Sequence, residues 1–145
     1  MMEEKRIWIV LFIALILIAI SAGCAGLPKI AEISIVADPN PVPCSGEDGK
    51  WHYTMYISES NGVGVTVNSL SFTSYNQEDE LIETQIVDAE EFFEWFETDY
   101  IPAFSTIQNG IVHSGISVYA FVRVAGIDDN ANLVEATIRI DYLPE

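Results

Sequence analysis

Apolar and polar side chains alternate with a period of two along most of the chain after residue 30. A β-strand turns successive side chains to opposite faces, whereas an α-helix repeats every 3.6 residues. The clearest run closes the chain, and its apolar residues are Val134, Ala136, Ile138, Ile140 and Tyr142. Its polar residues, which we expect to face solvent, are Glu135, Thr137, Arg139 and Asp141. The alternation therefore predicts half-buried strands and an all-β fold.

Similar runs precede this one, separated by turn residues. They cover residues 31–35, 51–58, 63–72, 81–87, 101–107 and 116–124. The apolar parity switches near Asn68-Ser69, which predicts a bulge. The run 116–124 carries apolar residues on both faces, including Tyr119 and Phe121, which indicates a central strand. Asn61-Gly62 and Asn109-Gly110 are typical of tight turns. About seven short strands with regular turns indicate an antiparallel β-sandwich.

One segment follows a helical period instead. Asp88 is suited to cap a helix near residues 88–97, with Glu91 three residues later. The apolar side of this short amphipathic helix contains Ala89, Phe92, Phe93, Trp95 and Phe96. We expect these aromatic residues to pack in the core, because one helical arc explains them all. The alternative is an exposed glycan or partner platform that also includes Tyr100.

The N-terminus has the pattern of a secretory leader. Lys5 and Arg6 precede a 14-residue apolar run from Ile7 to Ile20. A membrane-spanning helix needs about 20 apolar residues, whereas a signal peptide needs about 7–15. The length of the run therefore favours a signal peptide over an uncleaved membrane anchor. Both interpretations place the rest of the chain outside the cytoplasmic membrane.

Residues 20–24, Ile-Ser-Ala-Gly-Cys, resemble the lipobox of prokaryotic envelope lipoproteins, with Ser21 where that motif usually has leucine. The resemblance implies cleavage before Cys24 and lipidation of that cysteine, so the chain would bind the membrane through a lipid anchor. It divides the chain into a signal peptide (1–23), the lipidated cysteine with a tether (24–29) and one domain (30–145). With Cys24 lipidated, no second cysteine remains for a disulfide with Cys44, which we expect to pack as a small apolar group.

The charge excludes one class of partner. The chain has 22 acidic and 6 basic residues, a formal net charge of -16. A nucleic-acid binder needs a basic surface, so no nucleic-acid partner is expected. The acidic residues fall mostly on outward parities, which indicates a solvated surface and not a catalytic carboxylate pair.

Sequence motifs for catalysis are missing. The chain has no Gly-x-Ser-x-Gly elbow, no His-Glu-x-x-His motif and no phosphate-binding glycine loop. His52 and His113 lie on different predicted strands, and each is expected to be an ordinary strand residue. Cys44 lies beside prolines with no base nearby in sequence. We therefore expect no catalytic residue, no cofactor and no enzymatic activity.

Calcium is the one metal for which the sequence contains a candidate binding loop. Asp128, Asn130 and Asn132 have the alternate spacing of a calcium-binding loop. Leu133 replaces the required glycine, and Arg139 occupies the position of the bidentate glutamate. Since polar turns use the same residue types, the pattern favours a hairpin turn, and no metal site is predicted.

The segments 37–41 (Ala-Asp-Pro-Asn-Pro) and 119–128, which runs into a polar turn and the final strand, resemble immunoglobulin-like or fibronectin type III-like envelope modules. The resemblance spans most of residues 30–143 and implies an antiparallel immunoglobulin-like β-sandwich. The expected function is a non-catalytic, lipid-anchored, cell-surface binding or adhesion module with a protein or glycan partner. The alternatives are a structural or accessory subunit of an envelope complex and, third, an extracellular hydrolase.

Overall fold

The computed structural model describes residues 27–144 of the chain. The predicted signal peptide, Cys24 and the first part of the tether lie outside the described residues. The strands are β1 (Ile33–Asp38), β2 (Val42–Pro43), β3 (Trp51–Glu59), β4 (Val65–Tyr75), β5 (Leu81–Asp88), β6 (Tyr100–Ile101), β7 (Thr106–His113), β8 (Tyr119–Asp128) and β9 (Leu133–Leu143). The helix is α1 (Ala89–Phe96). Across residues 27–144, no helix is long and apolar enough to cross a membrane.

The strands form two sheets. The smaller sheet has the order β1-β3-β7, and the larger has the order β2-β9-β8-β4-β5, with β6 paired to the start of β4. Only β2 runs parallel to its neighbour, β9. The chain passes from β1 to β2 through Pro39 and Pro41, so the proline segment leads to a sheet edge. The immunoglobulin-like β-sandwich is confirmed, and the two-residue strands β2 and β6 account for the strands beyond seven.

The core lies between the two sheets. Met55 and Ile57 of the smaller sheet and Leu70, Val122 and Val124 of the larger are completely buried. Complete burial of a side chain of this size contributes about 1.5–3 kcal/mol relative to exposure. The inward parity of β3, β4 and β8 therefore supplies the energy that holds the sheets together.

Three details of the strand pattern agree with the sequence. β8 lies between β4 and β9 and is central, as predicted. The register of β4 against β8 shifts between Val67 and Ser69, where the parity switch predicted a bulge. In β9, Ile140 is completely buried, whereas Ile138 is half-buried and packs against the core.

Two local predictions are wrong. Asn109-Gly110 lies inside β7 and not in a turn, since Gly110 pairs with Thr54 of β3 and the strand pairing overrides the local turn preference. The predicted strand 101–107 is divided between β6 and β7. In addition, β8 begins only at Tyr119, so Ile116 lies outside it and is 78% exposed.

The helix begins as predicted. The Asp88 carboxylate accepts the backbone N–H groups of Glu90 and Glu91, both at 3.0 Å. The helix ends at Phe96 and is followed by its C-cap residue, Glu97. Glu97 has a left-handed conformation with φ 59° and donates its N–H to the Phe93 carbonyl. These caps satisfy backbone groups that the helix itself leaves unpaired.

The aromatic residues of α1 divide between core and surface. Phe92 and Phe96 are buried and stack with ring centroids 4.5 Å apart. Trp95 is half-buried and lies 6.1 Å from Phe72 of the larger sheet. The prediction of core packing is wrong for Phe93, which is 52% exposed. Phe93 lies about 100° around the helix from Phe92, at the margin of the apolar arc.

Candidate binding face and tether end

Two buried carboxylates organise one end of the sandwich. Glu59 at the end of β3 is 2% exposed, and Asp128 at the end of β8 is 3% exposed. They lie where the chain enters the domain, beside the loops 60–64, 102–105 and 129–133 and the segment 27–30. We call these loops and this segment the tether end. Because a buried charge without partners is costly, the hydrogen bonds of these two groups determine what this end can do.

The Glu59 carboxylate is fully occupied by backbone donors. It accepts N–H groups at 2.8–3.2 Å from Glu32, Asn61, Gly62 and Phe104. Burial alone would raise the pKa of this carboxyl, but the four donors stabilise the charged form and lower the pKa to about 2. Glu59 is not among the residues singled out from the sequence. It lies on the same inward side of β3 as Met55 and Ile57, and this parity was a signal that its carboxylate is buried.

Phe104 is held in an unusual conformation by this carboxylate. Its φ is 54°, in the left-handed region that bulky residues rarely adopt. Its N–H donates to Glu59, and its ring covers Gly62, where any side chain would overlap the ring. The Phe104 side chain is nevertheless 71% exposed. The loop therefore displays an aromatic ring to the surroundings at the tether end.

Asp128 fixes the loop that the sequence raised as a calcium candidate. Its oxygens accept the backbone N–H groups of Ala31, Asn130 and Asn132 at 2.8–3.0 Å, and the Asn132 amide nitrogen donates to both oxygens. Burial acts to raise the pKa of Asp128, but these donors outweigh it and lower the pKa. N–H groups thus occupy the positions that a cation would need, as in a polar turn. Within residues 27–144, no cluster of three or more His, Cys, Asp or Glu side chains is arranged to hold a metal.

The last residues of the predicted tether are fastened to this end. The Asn61 side-chain amide donates to the Ile30 carbonyl, and the Asn130 side-chain amide donates to the Lys29 carbonyl, both at 2.7 Å. The N–H of Ala31 donates to Asp128 at 3.0 Å. Residues 29–31 are therefore fixed against the loops of the tether end.

The histidines lie on neighbouring strands but point to opposite faces. His113 pairs in register with Trp51, so His52, one residue further along β3, faces away from it. His113 stacks on Tyr142 with ring centroids 4.4 Å apart, and burial lowers its pKa. His52 is exposed, and its Nε2 lies 2.8 Å from the Asp48 carboxylate. The fold therefore does not bring the two imidazoles together.

Cys44 lies nearer to a base than the sequence indicated. It lines a surface cavity of about 410 Å³ together with Asp48 and His52. The thiol is half-buried, 3.9 Å from the Ser45 carbonyl, and packs against the core. The hydrogen bond to His52 lowers the pKa of Asp48, so this imidazole nitrogen is engaged by the carboxylate.

A group of aromatic rings lies on the outer face of the larger sheet. Tyr75 and Tyr119 stack at 5.0 Å, and Phe121 meets both rings edge-on at 6.0 and 5.8 Å. The Arg139 guanidinium lies 3.9 Å from the Tyr119 ring centroid. We call Tyr75, Tyr119, Phe121 and Arg139 the aromatic face. Phe121 is 40% exposed, whereas Tyr119 is buried beneath its neighbours.

The aromatic face is held rigidly. The Tyr119 hydroxyl donates to Asp79 at 2.9 Å, and Arg139 donates to Asp141 at 2.8 Å. Burial and the bond to Asp79 raise the pKa of the Tyr119 hydroxyl, while Arg139 opposes the rise. Arg139 thus makes a cation–π contact and an ion pair at once, which fixes its side chain before any partner arrives.

Four charges on this outer face form two ion pairs. Arg123 and Arg139, the only arginines among residues 27–144, both lie on it. Arg123 pairs with Glu135, and Arg139 pairs with Asp141. Asp79 adds a negative charge beside the Tyr119 hydroxyl. The two arginines therefore offset part of the negative charge at this face.

The aromatic face and the tether end lie at opposite ends of the molecule. Tyr119 begins β8 and Asp128 ends it. A strand rises about 3.3 Å per residue, so the ten residues of β8 separate the two ends by about 30 Å. A domain fixed at the tether end therefore presents the aromatic face on its far side.

Comparisons with known proteins define the fold only. No protein-family model matches the sequence, and no curated protein sequence matches it. The structure is similar to one described as ApaA from Bordetella pertussis, with a TM-score of 0.52 and 12% identity over 80% of this chain and 98% of that one. At this identity the likeness is one of fold.

Two further similar structures have lower TM-scores. One is a CARDB domain from Pyrococcus furiosus, solved with di-metal ions, with a TM-score of 0.40 and 11% identity over 79% of this chain and 88% of that one. Another is the archaellum periplasmic stator protein FlaG from Sulfolobus acidocaldarius, with a TM-score of 0.38 and 10% identity over 75% of this chain and 100% of that one. Both are too distant to carry an argument about this chain.

Proposed function

We propose that the protein is a non-catalytic binding module, anchored to the outer side of the cytoplasmic membrane through a lipid on Cys24, that contacts a partner protein through its aromatic face. The observation that carries the proposal is the position of that face. It lies about 30 Å along the sheet from the end at which the tether enters. An anchored adhesion module needs this arrangement, because its contact surface must lie at a distance from its own membrane.

The chemistry of the aromatic face favours a protein partner over a glycan. Tyrosine and arginine are enriched at the centres of protein interfaces. Arg139 and Tyr75 cover the two sides of the Tyr119 ring, so Tyr119 has no open ring face on which a sugar could stack. Phe121 offers a partly exposed apolar ring beside the fixed Arg139, which suits an apolar side chain with an acidic neighbour.

A second function, accessory subunit of an envelope complex, is favoured by a separate feature. β5 lies at the edge of the larger sheet, and within the described residues it pairs only with β4. It also carries exposed apolar side chains, with Leu81 at 60% and Ile86 at 68%. An uncovered edge strand can accept a strand from another chain by backbone hydrogen bonding.

Site-specific photo-crosslinking in intact cells tests the proposal. A photoreactive phenylalanine analogue replaces Phe121 in the full chain, and the matched control carries it at Ile116, which is exposed but lies outside the aromatic face. We expect a discrete protein adduct from position 121 that Arg139→Glu removes. Adducts of equal yield from both positions would contradict the proposed face. An adduct that survives protease and contains sugar would show a glycan partner. The same analogue is also placed at Ile86 of β5, and an adduct from position 86 without one from position 121 would favour the accessory subunit.

A further inference from the structure

The tether end exposes apolar side chains on its surface, above the buried carboxylates of Glu59 and Asp128. The exposed residues are Leu27 (93%), Ile30 (54%), Phe104 (71%) and Leu133 (83%). The only charged residues in the segment 27–30 and the loops 60–64, 102–105 and 129–133 are Lys29 and Asp129, which cancel. Asp129 also accepts the Tyr100 hydroxyl at 2.9 Å. Glu32, just outside the segment, is the nearest further exposed charge along the chain.

The chain that precedes this end is short. Asn130 fixes the Lys29 carbonyl to the domain, and Lys29 lies five positions after Cys24 in the chain. A fully extended chain spans at most about 3.3–3.6 Å per residue, so these five positions span about 18 Å. A lipid on Cys24 would therefore keep the tether end close to the membrane surface.

We propose that Leu27, Ile30, Phe104 and Leu133 form an apolar rim that inserts into the interfacial region of the membrane to which the chain is anchored, an inference that rests on the proposed anchoring at Cys24. Water would leave these four side chains when the rim enters the interface, as for other interfacial apolar residues. Lys29 offsets Asp129, so the exposed residues of these loops add no net charge of their own to the repulsion that an acidic domain meets at an anionic membrane.

The backbone of the rim is fixed in the arrangement that insertion requires. Phe104 has a left-handed conformation in which its N–H donates to Glu59, and its ring lies over Gly62 and not in the core. A bulky residue in that region of conformational space carries strain, and such strain concentrates at functional positions. Glu59 thus acts as a positioning residue that displays the ring without touching the membrane.

Fluorescence quenching with the full-length, membrane-extracted protein tests the rim. Single cysteines at positions 104, 133 and 116 carry an environment-sensitive dye in a Cys44→Ala background, and the protein is reconstituted into phosphatidylcholine vesicles that contain nitroxide-labelled lipid. We expect quenching at 104 and 133 at least threefold stronger than at 116, which lies at the far end. A second comparison introduces Glu59→Gln into the proteins labelled at positions 104 and 133. Because Glu59 positions residue 104, this change should reduce the quenching at position 104 more than at position 133.

The outcomes separate the rim from the anchor. Protein that floats with the vesicles but is quenched equally at 104, 133 and 116 would overturn the rim and leave the anchor intact. Protein that does not float would overturn the anchoring at Cys24 and, with it, the rim. Quenching at 116 in place of 104 and 133 would show that the opposite end faces the membrane, which would overturn both the rim and the proposed presentation of the aromatic face.

Discussion

The indole N–H of Trp51 donates to the backbone carbonyl of Leu143 at 2.8 Å. Trp51 begins β3 in the smaller sheet and Leu143 ends β9 in the larger sheet, so this bond joins the two sheets at the end opposite the tether. The Trp51 ring also lies 5.5 Å from Tyr142 and 5.6 Å from His113. The far end is therefore closed by an aromatic cluster with one sheet-to-sheet hydrogen bond.

Trp51→Phe should lower the free energy of unfolding by about 1–2 kcal/mol, because it keeps a ring in the cluster but leaves the Leu143 carbonyl without its donor. Urea denaturation measures the difference. Thr137→Ala, an exposed change on β9, is the control and should cost much less. Equal stability of Trp51→Phe and wild type would show that the bond contributes nothing net.

Glu59→Gln should lower stability by about 3 kcal/mol at neutral pH, because one amide oxygen replaces two charged oxygens that accept four N–H groups. The folded pKa of about 2 lies below the unfolded value, so the stabilisation is complete above about pH 5 and is lost as the pH falls toward 2. Wild type should thus lose more stability than Glu59→Gln between these values. Parallel curves of stability against pH for the two proteins would contradict the lowered pKa.

Millimolar calcium should leave the melting temperature of the protein unchanged relative to chelator. Both Asp128 oxygens already accept N–H donors, so a cation would have to displace Asn132 and the backbone of the turn. Differential scanning calorimetry measures the effect. A large upward shift that Asp128→Ala removes would instead make metal binding part of the function.

Aspartate substitutions along β9 should reproduce its alternation. Ile140→Asp should destabilise the domain by several kcal/mol, because it places a charge in the core without a partner. Ile138→Asp should cost less, since that side chain is only half-buried, and Thr137→Asp should be nearly neutral. Chemical denaturation of the three variants gives the order, and a costly Thr137→Asp would refute the register.

Intact-mass measurement of membrane-extracted protein tests the leader. We expect the loss of residues 1–23 and the addition of acyl mass on Cys24, because small residues and a cysteine follow a short apolar run. Cys24→Ser should retain the leader and lose the acyl mass. Wild-type protein that still begins with Met1 would contradict the lipoprotein prediction.

The alternation of apolar and polar side chains predicted most of the fold. It located the bulge beside Ser69, the central position of β8 and the inward side of β9, because burial of one face leaves a period of two in the sequence. It could not predict whether Asn109-Gly110 forms a strand or a turn, because pairing with β3 makes it part of a strand. The preference of a dipeptide is local, whereas strand pairing joins residues that are distant along the chain.

The candidate sites were harder to predict for the same reason. The aromatic face brings together Tyr75, Tyr119 and Arg139 from three strands, and no spacing within one segment reveals it. Phe104 is fixed by a hydrogen bond to Glu59, 45 residues earlier in the chain. The sequence offered one signal, the parity of Glu59 along β3. This parity indicates that the side chain is buried, but it does not indicate which N–H groups donate to it.

The two edges of the larger sheet differ in what they allow. β2 has two residues, one of which is Pro43 with no N–H to donate, whereas β5 has eight residues. β2 pairs only with Tyr142 and Leu143, so among the described strands most of β9 has no backbone partner on that side. β5 is the edge that a partner strand could follow without meeting a proline. Two copies paired antiparallel through β5 would cover that edge in each other, and the product would have two-fold symmetry.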